Sequence, residues 1–189
     1  MKCPNCGKEN PEGFIYCGFC GRRLKEDKLP PPENHLENRS RRVLTKALDK
    51  KDKEMLDFML YKFREASSKN PEYADIYFDL SMIYRAQERF EEAINELKKA
   101  LNINPEFGDA HHALADIYFH VNQPENAIYE YRKALRINPD YADLHFSLGK
   151  SFEKLGNKSK ALDEYEEAVK ANPNYWEAKD AFKRLDEEE

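Results

Sequence analysis

The sequence predicts an all-α helical array preceded by a small cysteine-rich segment. Three observations carry this reading. Asn-Pro recurs at Asn70-Pro71, Asn104-Pro105, Asn138-Pro139 and Asn172-Pro173, 34 residues apart each time. Four of the seven glycines lie in the first 21 residues, so the rest of the chain has little turn material for a many-stranded β fold. All four cysteines fall in the first 20 residues, in two Cys-x-x-Cys hooks.

The hooks are Cys3-Pro4-Asn5-Cys6 and Cys17-Gly18-Phe19-Cys20. Zinc takes four ligands in a tetrahedron, and two such hooks supply four thiolates to one centre. Gly7 and Gly21 directly follow the hooks, where the chain must turn back sharply and positive φ is wanted. A redox pair is the competing reading of Cys3-Pro4-Asn5-Cys6, but no βαβ pattern surrounds it. The doubled motif resembles the zinc-ribbon family over residues 1–24, with Cys3, Cys6, Cys17 and Cys20 holding one Zn2+. Four thiolates close the coordination sphere, so the expected role is structural. Few apolar residues are present (Phe14, Ile15, Tyr16, Phe19, Leu24), and metal binding would supply most of the folding free energy, about 10 kcal/mol.

Residues 25–39 break all periodicity, and Pro30, Pro31 and Pro32 favour an extended spacer. Residues 40–73 read as a degenerate repeat. They keep Met59, Phe63 and Ala66 of a second-helix pattern, and Leu44, Ala47 and Leu48 of a first. Three regular segments follow, 74–107, 108–141 and 142–175. Each opens a helix with an apolar or small stripe at i, i+3, i+4, i+7: Tyr77, Leu80, Ser81, Tyr84; His111, Leu114, Ala115, Tyr118; His145, Leu148, Gly149, Phe152. Turns fall near Glu88-Arg89, Asn122-Pro124 and Gly156-Asn157. A second helix follows with Ala93, Leu97, Ala100 and their counterparts 34 and 68 residues on. Residues 176–189 carry Ala178, Phe182 and Leu185 on one face, continuing from Tyr175, which reads as a capping helix with an acidic tail.

Period, small positions, aromatic positions and junction proline together resemble the tetratricopeptide-repeat (TPR) family. The resemblance implies a right-handed TPR superhelix, an α-solenoid, with a concave face lined by the first helix of each pair. The positions implied to face it are Asp75, Phe78, Asp79 and Met82; Asp109, His112, Asp116 and Phe119; and Asp143, Phe146, Lys150 and Glu153. Aromatics ringed by acids on such a face suit a partner peptide or helix with apolar and basic residues. Some TPR proteins hold a chaperone C-terminal carboxylate in a clamp of Lys, Asn and Arg. The matching positions here, among them Leu44, Leu48, Asp79, Asp109 and Ala113, hold no base, so no clamp is expected.

The net charge is −5, with 31 basic and 36 acidic residues. Residues 1–25 carry a balance of +3, and residues 40–189 one of −6. The repeats therefore lack a bulk basic surface for nucleic acid. No Walker loop, Gly-x-Ser-x-Gly or His-Glu-x-x-His is present, so no enzyme is expected. His111 and His145 are expected to be packed structural residues rather than metal ligands or catalysts, since no cysteine or carboxylate cluster joins them in register. No secretory signal or membrane-length apolar run is seen, which suits a cytoplasmic protein. The leading reading is a non-catalytic protein–protein adaptor or scaffold. The alternative is a transcription or translation factor whose basic ribbon contacts RNA or DNA while the repeats recruit partners.

Overall fold

A computed structural model of the chain describes residues 52–187. The four cysteines, the proline spacer, and Leu44, Ala47 and Leu48 of the degenerate repeat lie outside the described residues. Within them run eight helices: α1 (Lys53–Lys69), α2 (Ala74–Ala86), α3 (Phe90–Ile103), α4 (Gly108–His120), α5 (Pro124–Ile137), α6 (Ala142–Lys154), α7 (Lys158–Ala171) and α8 (Trp176–Glu187).

The same local devices stop and start these helices at each repeat. At the end of the first helix of each pair, Glu88, Asn122 and Gly156 take positive φ of 60°, 61° and 72°. The next N–H then reaches back five residues: Arg89 to Tyr84, Gln123 to Tyr118 and Asn157 to Phe152, at 2.9, 2.8 and 2.9 Å. This satisfies carbonyls that the helix end would otherwise orphan. Only the last of the three is a glycine, so Glu88 holds a conformation that costs a β-carbon about 1 kcal/mol. At the end of the second helix, the backbone N–H of Asn104, Asn138 and Asn172 donates to Ala100, Ala134 and Ala168, each at 2.9 Å. The following proline cannot continue the helix. Asp52 caps α1 through Met55 N, and Asn157 caps α7 through Lys160 N.

The chain divides into two compact units at Ala110/His111. In the first, α2 packs against both α1 and α3. Its core holds Leu56, Met59, Phe63, Leu80, Ile83, Tyr84, Leu97 and Phe107. Arg64 donates from Nε to the Tyr84 hydroxyl at 3.1 Å, and Gln87 donates to Asp57 at 2.7 Å, fastening α1 to α2. In the second unit, α6 packs against both α5 and α7, and α8 closes on α7. One apolar cluster joins them, with Ala115, Tyr131, Leu144, Leu148, Phe152, Tyr165, Ala181 and Leu185 among its members.

The buried face of each first helix is wider than the expected stripe. Ile76, Ala110 and Leu144, and Ile83, Ile117 and Ser151, are all buried at equal register. Tyr77, Tyr118 and His145 of the expected stripe are only half-buried. Helices α2 and α6 each face a neighbour on two sides, which a single 3.6-period stripe does not describe. The second helices follow expectation closely: Ala93, Leu97, Ala100, Ala127, Tyr131, Ala134, Ala161, Tyr165 and Ala168 are all buried.

Candidate functional site

In the first unit, Phe78 is half-buried, with its ring centroid 5.1 Å from that of Phe107. Met82, Asp75 and Asp109 are also half-buried. Asp79 is buried, with 7% of its surface exposed, so its carboxylate is not on offer to a partner. In the second unit, Phe146 lies against Tyr165 and Tyr175 at centroid distances of 5.6 and 5.1 Å. Phe119 and Phe146 both pack on the apolar cluster. His112 lies 6.0 Å from Tyr131, the counterpart of the Phe146–Tyr165 contact one repeat earlier.

The expectation of exposed aromatics therefore needs correction: Phe78, Phe119 and Phe146 are half-buried. These rings lie partly in the core because the facing tyrosines and phenylalanines give them apolar neighbours on one side. The acids are also engaged. Asp116 accepts from the Tyr131 hydroxyl at 2.7 Å and lies 3.5 Å from His112 Nε2. Asp143 is exposed, with its charge felt at the Tyr175 hydroxyl. Burial, reinforced by these carboxylates, raises the phenols of Tyr131 and Tyr175 above the ordinary tyrosine range.

The second unit contains an open cleft of about 560 Å³. This lies within the range of about 300–1,000 Å³ common for ligand sites. Of the sequence-predicted residues it brings together Phe119, Phe146 and Lys150. Helix α6 adds Glu153 and Lys154, α7 adds Tyr165, and α8 adds Trp176, Glu177, Asp180 and Arg184. Of these, sequence reasoning reached only Glu153, which shares the register of Phe119 one repeat on. The available signal was Trp176, the single tryptophan of the chain, which opens α8 at the register where α2, α4 and α6 open on Ala74, Gly108 and Ala142.

Charge is unevenly placed in the cleft. The Lys150 ammonium sits 5.4 Å from the Phe119 ring centroid and 5.6 Å from that of Phe146. Lys154 sits 4.7 Å from Phe119 and donates to its carbonyl at 3.3 Å. The negative faces of both phenylalanines thus already meet cations. Glu153 accepts from the Tyr165 hydroxyl at 2.6 Å and from Arg184 at 2.7 Å. Burial opposes ionisation of Glu153, but these two donors outweigh it and hold the carboxyl below its ordinary range. Trp176 is 68% exposed, the most open aromatic of the cleft.

A second arrangement repeats across the unit. His111 Nδ1 lies 2.5 Å from Glu130 Oε2, and His145 Nδ1 lies 2.8 Å from Glu164 Oε2. Both pairs join the first helix of a repeat to its second, and both occupy the same register. Each histidine meets a single glutamate 19 residues downstream, where a helical hairpin returns. Among the described residues no group of three or more His, Cys, Asp or Glu is placed to hold a metal.

Antiparallel helix hairpins with one period, one turn and one clasp define a helical-repeat protein. Residues 82–122 and 115–156 match the TPR repeat model, and residues 142–175 match the Tetratricopeptide repeat model. Residues 2–24 match the zinc-ribbon domain model. The chain is a tetratricopeptide-repeat protein with an N-terminal zinc-ribbon domain. Among solved structures it is similar to MamA, with 22% identity, a TM-score of 0.68, and coverage of 72% of this chain and 80% of that one. It is also similar to YrrB, a TPR protein with an unusual peptide-binding site, at 20% identity and TM-score 0.63, covering 79% and 78%. A third is the first TPR of Spaghetti (RPAP3) bound to an HSP90 peptide, at 21% identity and TM-score 0.58, covering 60% and 90%. These likenesses show the fold. No curated protein sequence matches the chain.

Proposed function

We propose that the protein is a non-catalytic adaptor that holds a segment of a partner protein in the cleft of its second unit. The observation that carries this reading is the cleft itself: Phe119, Phe146, Lys150 and Trp176, from three helices, converge on about 560 Å³ of open space. TPR repeats form a protein-interaction family, and the peptide-bound state of the Spaghetti repeat is in keeping with such a role. The partner segment is a peptide or helix with apolar and basic residues, and Lys150 and Lys154 of the cleft call for an acidic residue in it as well. Asp75, Phe78, Met82, Asp109 and His112 remain candidates for further contacts, each judged by its own unit. The cleft's bases, Lys150, Lys154 and Arg184, come from α6 and α8 and are not a carboxylate clamp at the positions named above.

The domain division that goes with this reading is 1–24 ribbon, 25–39 spacer, 40–73 degenerate repeat, 74–107, 108–141 and 142–175 repeats, and 176–189 cap. In the ribbon, Cys3, Cys6, Cys17 and Cys20 hold one structural zinc, since four thiolates suit zinc and leave no open position. No helix among the described residues is long and apolar enough to cross a membrane, and a cytoplasmic location fits that.

Affinity purification from the native cell tests the adaptor reading. A partner identified with the wild-type chain should be lost with Lys150→Glu/Lys154→Glu, two exposed lysines whose reversal leaves the core intact. Equal capture by the variant, with helical circular dichroism unchanged, excludes the cleft. Metal analysis of the same preparation should give near one zinc per chain, falling to none with Cys17→Ser. The +3 balance of residues 1–25 keeps a nucleic-acid contact as the second reading. Steeply salt-dependent retention of RNA or DNA, lost on charge removal there, would favour it.

A further inference from the structure

The cleft has two ends of opposite character. On the α4–α6 side, Lys150 and Lys154 cover the faces of Phe119 and Phe146. On the α8 side, Trp176, Glu177 and Asp180 line the cleft at i, i+1 and i+4. This spacing puts them on one helix face, while Ala178, Ala181 and Leu185 turn to the core. Arg184 lies on the same face but is tied to Glu153 at 2.7 Å. The α8 end thus presents a tryptophan face and the carboxylates of Glu177 and Asp180.

An indole 68% exposed in a cleft has a physical cost that a partner would remove. Its register makes the point sharper. The first residue of the opening helix is Ala74, Gly108 or Ala142 in the other repeats, where a small side chain serves the fold. Trp176 is therefore not demanded by the repeat pattern. An indole face beside carboxylates is a good receptor for a guanidinium or ammonium, through cation–π attraction and charge pairing together. Lysines over phenylalanines at the other end repel a base and attract a carboxylate.

We propose, building on the adaptor reading, that the cleft reads the charge order of the partner segment. Trp176, Glu177 and Asp180 take an arginine or lysine, and Lys150 and Lys154 take an acidic residue of the same segment. The occupant is a short amphoteric stretch with an apolar residue between acid and base. A uniformly basic or uniformly acidic segment meets repulsion at one end, so the two ends give orientation as well as selectivity.

The test uses the full chain and fluorescein-labelled nine-residue peptides with one Glu, one Leu and one Arg spaced along an alanine–serine background. Control peptides carry Arg→Glu or Glu→Arg. Anisotropy should show the amphoteric peptide binding at least tenfold tighter than either control. Binding should move the emission of Trp176, which is the only tryptophan. Trp176→Ala should cost at least tenfold. Glu177→Lys/Asp180→Lys should reverse the preference at the basic position toward the Arg→Glu peptide, an outcome that a simple loss of folding cannot give. Equal binding of all three peptides, no binding of any up to millimolar concentration, or an unchanged affinity in Trp176→Ala overturns the proposal. If partner capture still depends on Lys150 and Lys154 in that event, the adaptor reading stands without it. Self-association in sedimentation that Trp176→Ala abolishes would name a second copy as the occupant, and likewise overturns it.

Discussion

The helix pairs α4–α5 and α6–α7 are built from the same parts and differ in how those parts meet water. Each carries a histidine–glutamate clasp at the same register. In the first pair the side chains of His111 and Glu130 are 4% and 10% exposed; in the second, those of His145 and Glu164 are 16% and 22% exposed. Each carries a buried tyrosine, Tyr131 or Tyr165, whose hydroxyl donates to a carboxylate of the first helix. The acceptors come from different registers, Asp116 and Glu153. Tyr131 is matched with Ala115 and Tyr165 with Gly149 at the small position of the first helix. A repeat thus conserves a contact scheme while the exposure and donor of each contact drift, and the energetic weight of one residue type drifts with them.

The largest expected contrast lies in the clasps. Glu130→Ala removes the partner of a buried imidazole and should cost about 3 kcal/mol, in the range for breaking a buried pair. Glu164→Ala strips a half-exposed pair that water can partly replace, and about 1 kcal/mol is expected. Urea denaturation of the two variants side by side measures the difference. Equal costs would mean that exposure does not set the strength of the clasp.

The small position should give an intermediate effect. A β-carbon built on Gly149 would lie 2.6 Å from Tyr165 Cε1 and 3.2 Å from the Ala161 carbonyl oxygen. The tyrosine ring cannot swing away freely, because it is fully buried and its hydroxyl is held by Glu153. Gly149→Ala gains about 1 kcal/mol of helix propensity and loses about 1–3 kcal/mol to overpacking, so a net loss is expected. The reverse change, Ala115→Gly, loses propensity with no clash relieved. A rise in melting temperature for Gly149→Ala would show that the ring adapts.

The smallest effect concerns pH. His145 faces two acceptors, Glu164 at Nδ1 and the Pro139 carbonyl at Nε2, at 2.8 and 3.0 Å. Both bonds are made together only by the imidazolium. Glu164 raises the His145 pKa, burial lowers it, and the Pro139 bond and the more distant Glu167 raise it, with a net upward shift. A raised folded-state pKa stabilises the fold fully below the unfolded value of about 6.5, and that increment fades as pH rises through the folded value. Wild-type stability should therefore decline more than that of His145→Gln as pH rises from 6 to 8. Parallel profiles, or an NMR titration placing His145 below the ordinary value, would remove the imidazolium from this clasp.

Much of this protein was written in its sequence. The 34-residue period, the Asn-Pro stop and the alanines of the second helices are local or strictly periodic signals. Local backbone chemistry obliges them: proline cannot extend a helix, and only small residues let helix axes approach. The zinc-ribbon match likewise rests on short-range spacing. Tertiary structure decided the rest. Phe78 and Phe146 read as surface positions from one helix, yet they gain apolar neighbours from Phe107, Tyr165 and Tyr175 once the chain folds back. Only the hairpin sets Glu130 and Glu164 against histidines 19 residues earlier. The cleft joins α4, α6, α7 and α8, and no window of sequence contains Phe119 and Trp176 together. Periodicity reports which face of a helix is apolar, but it is blind to which other face will meet it, and the site is made by that meeting.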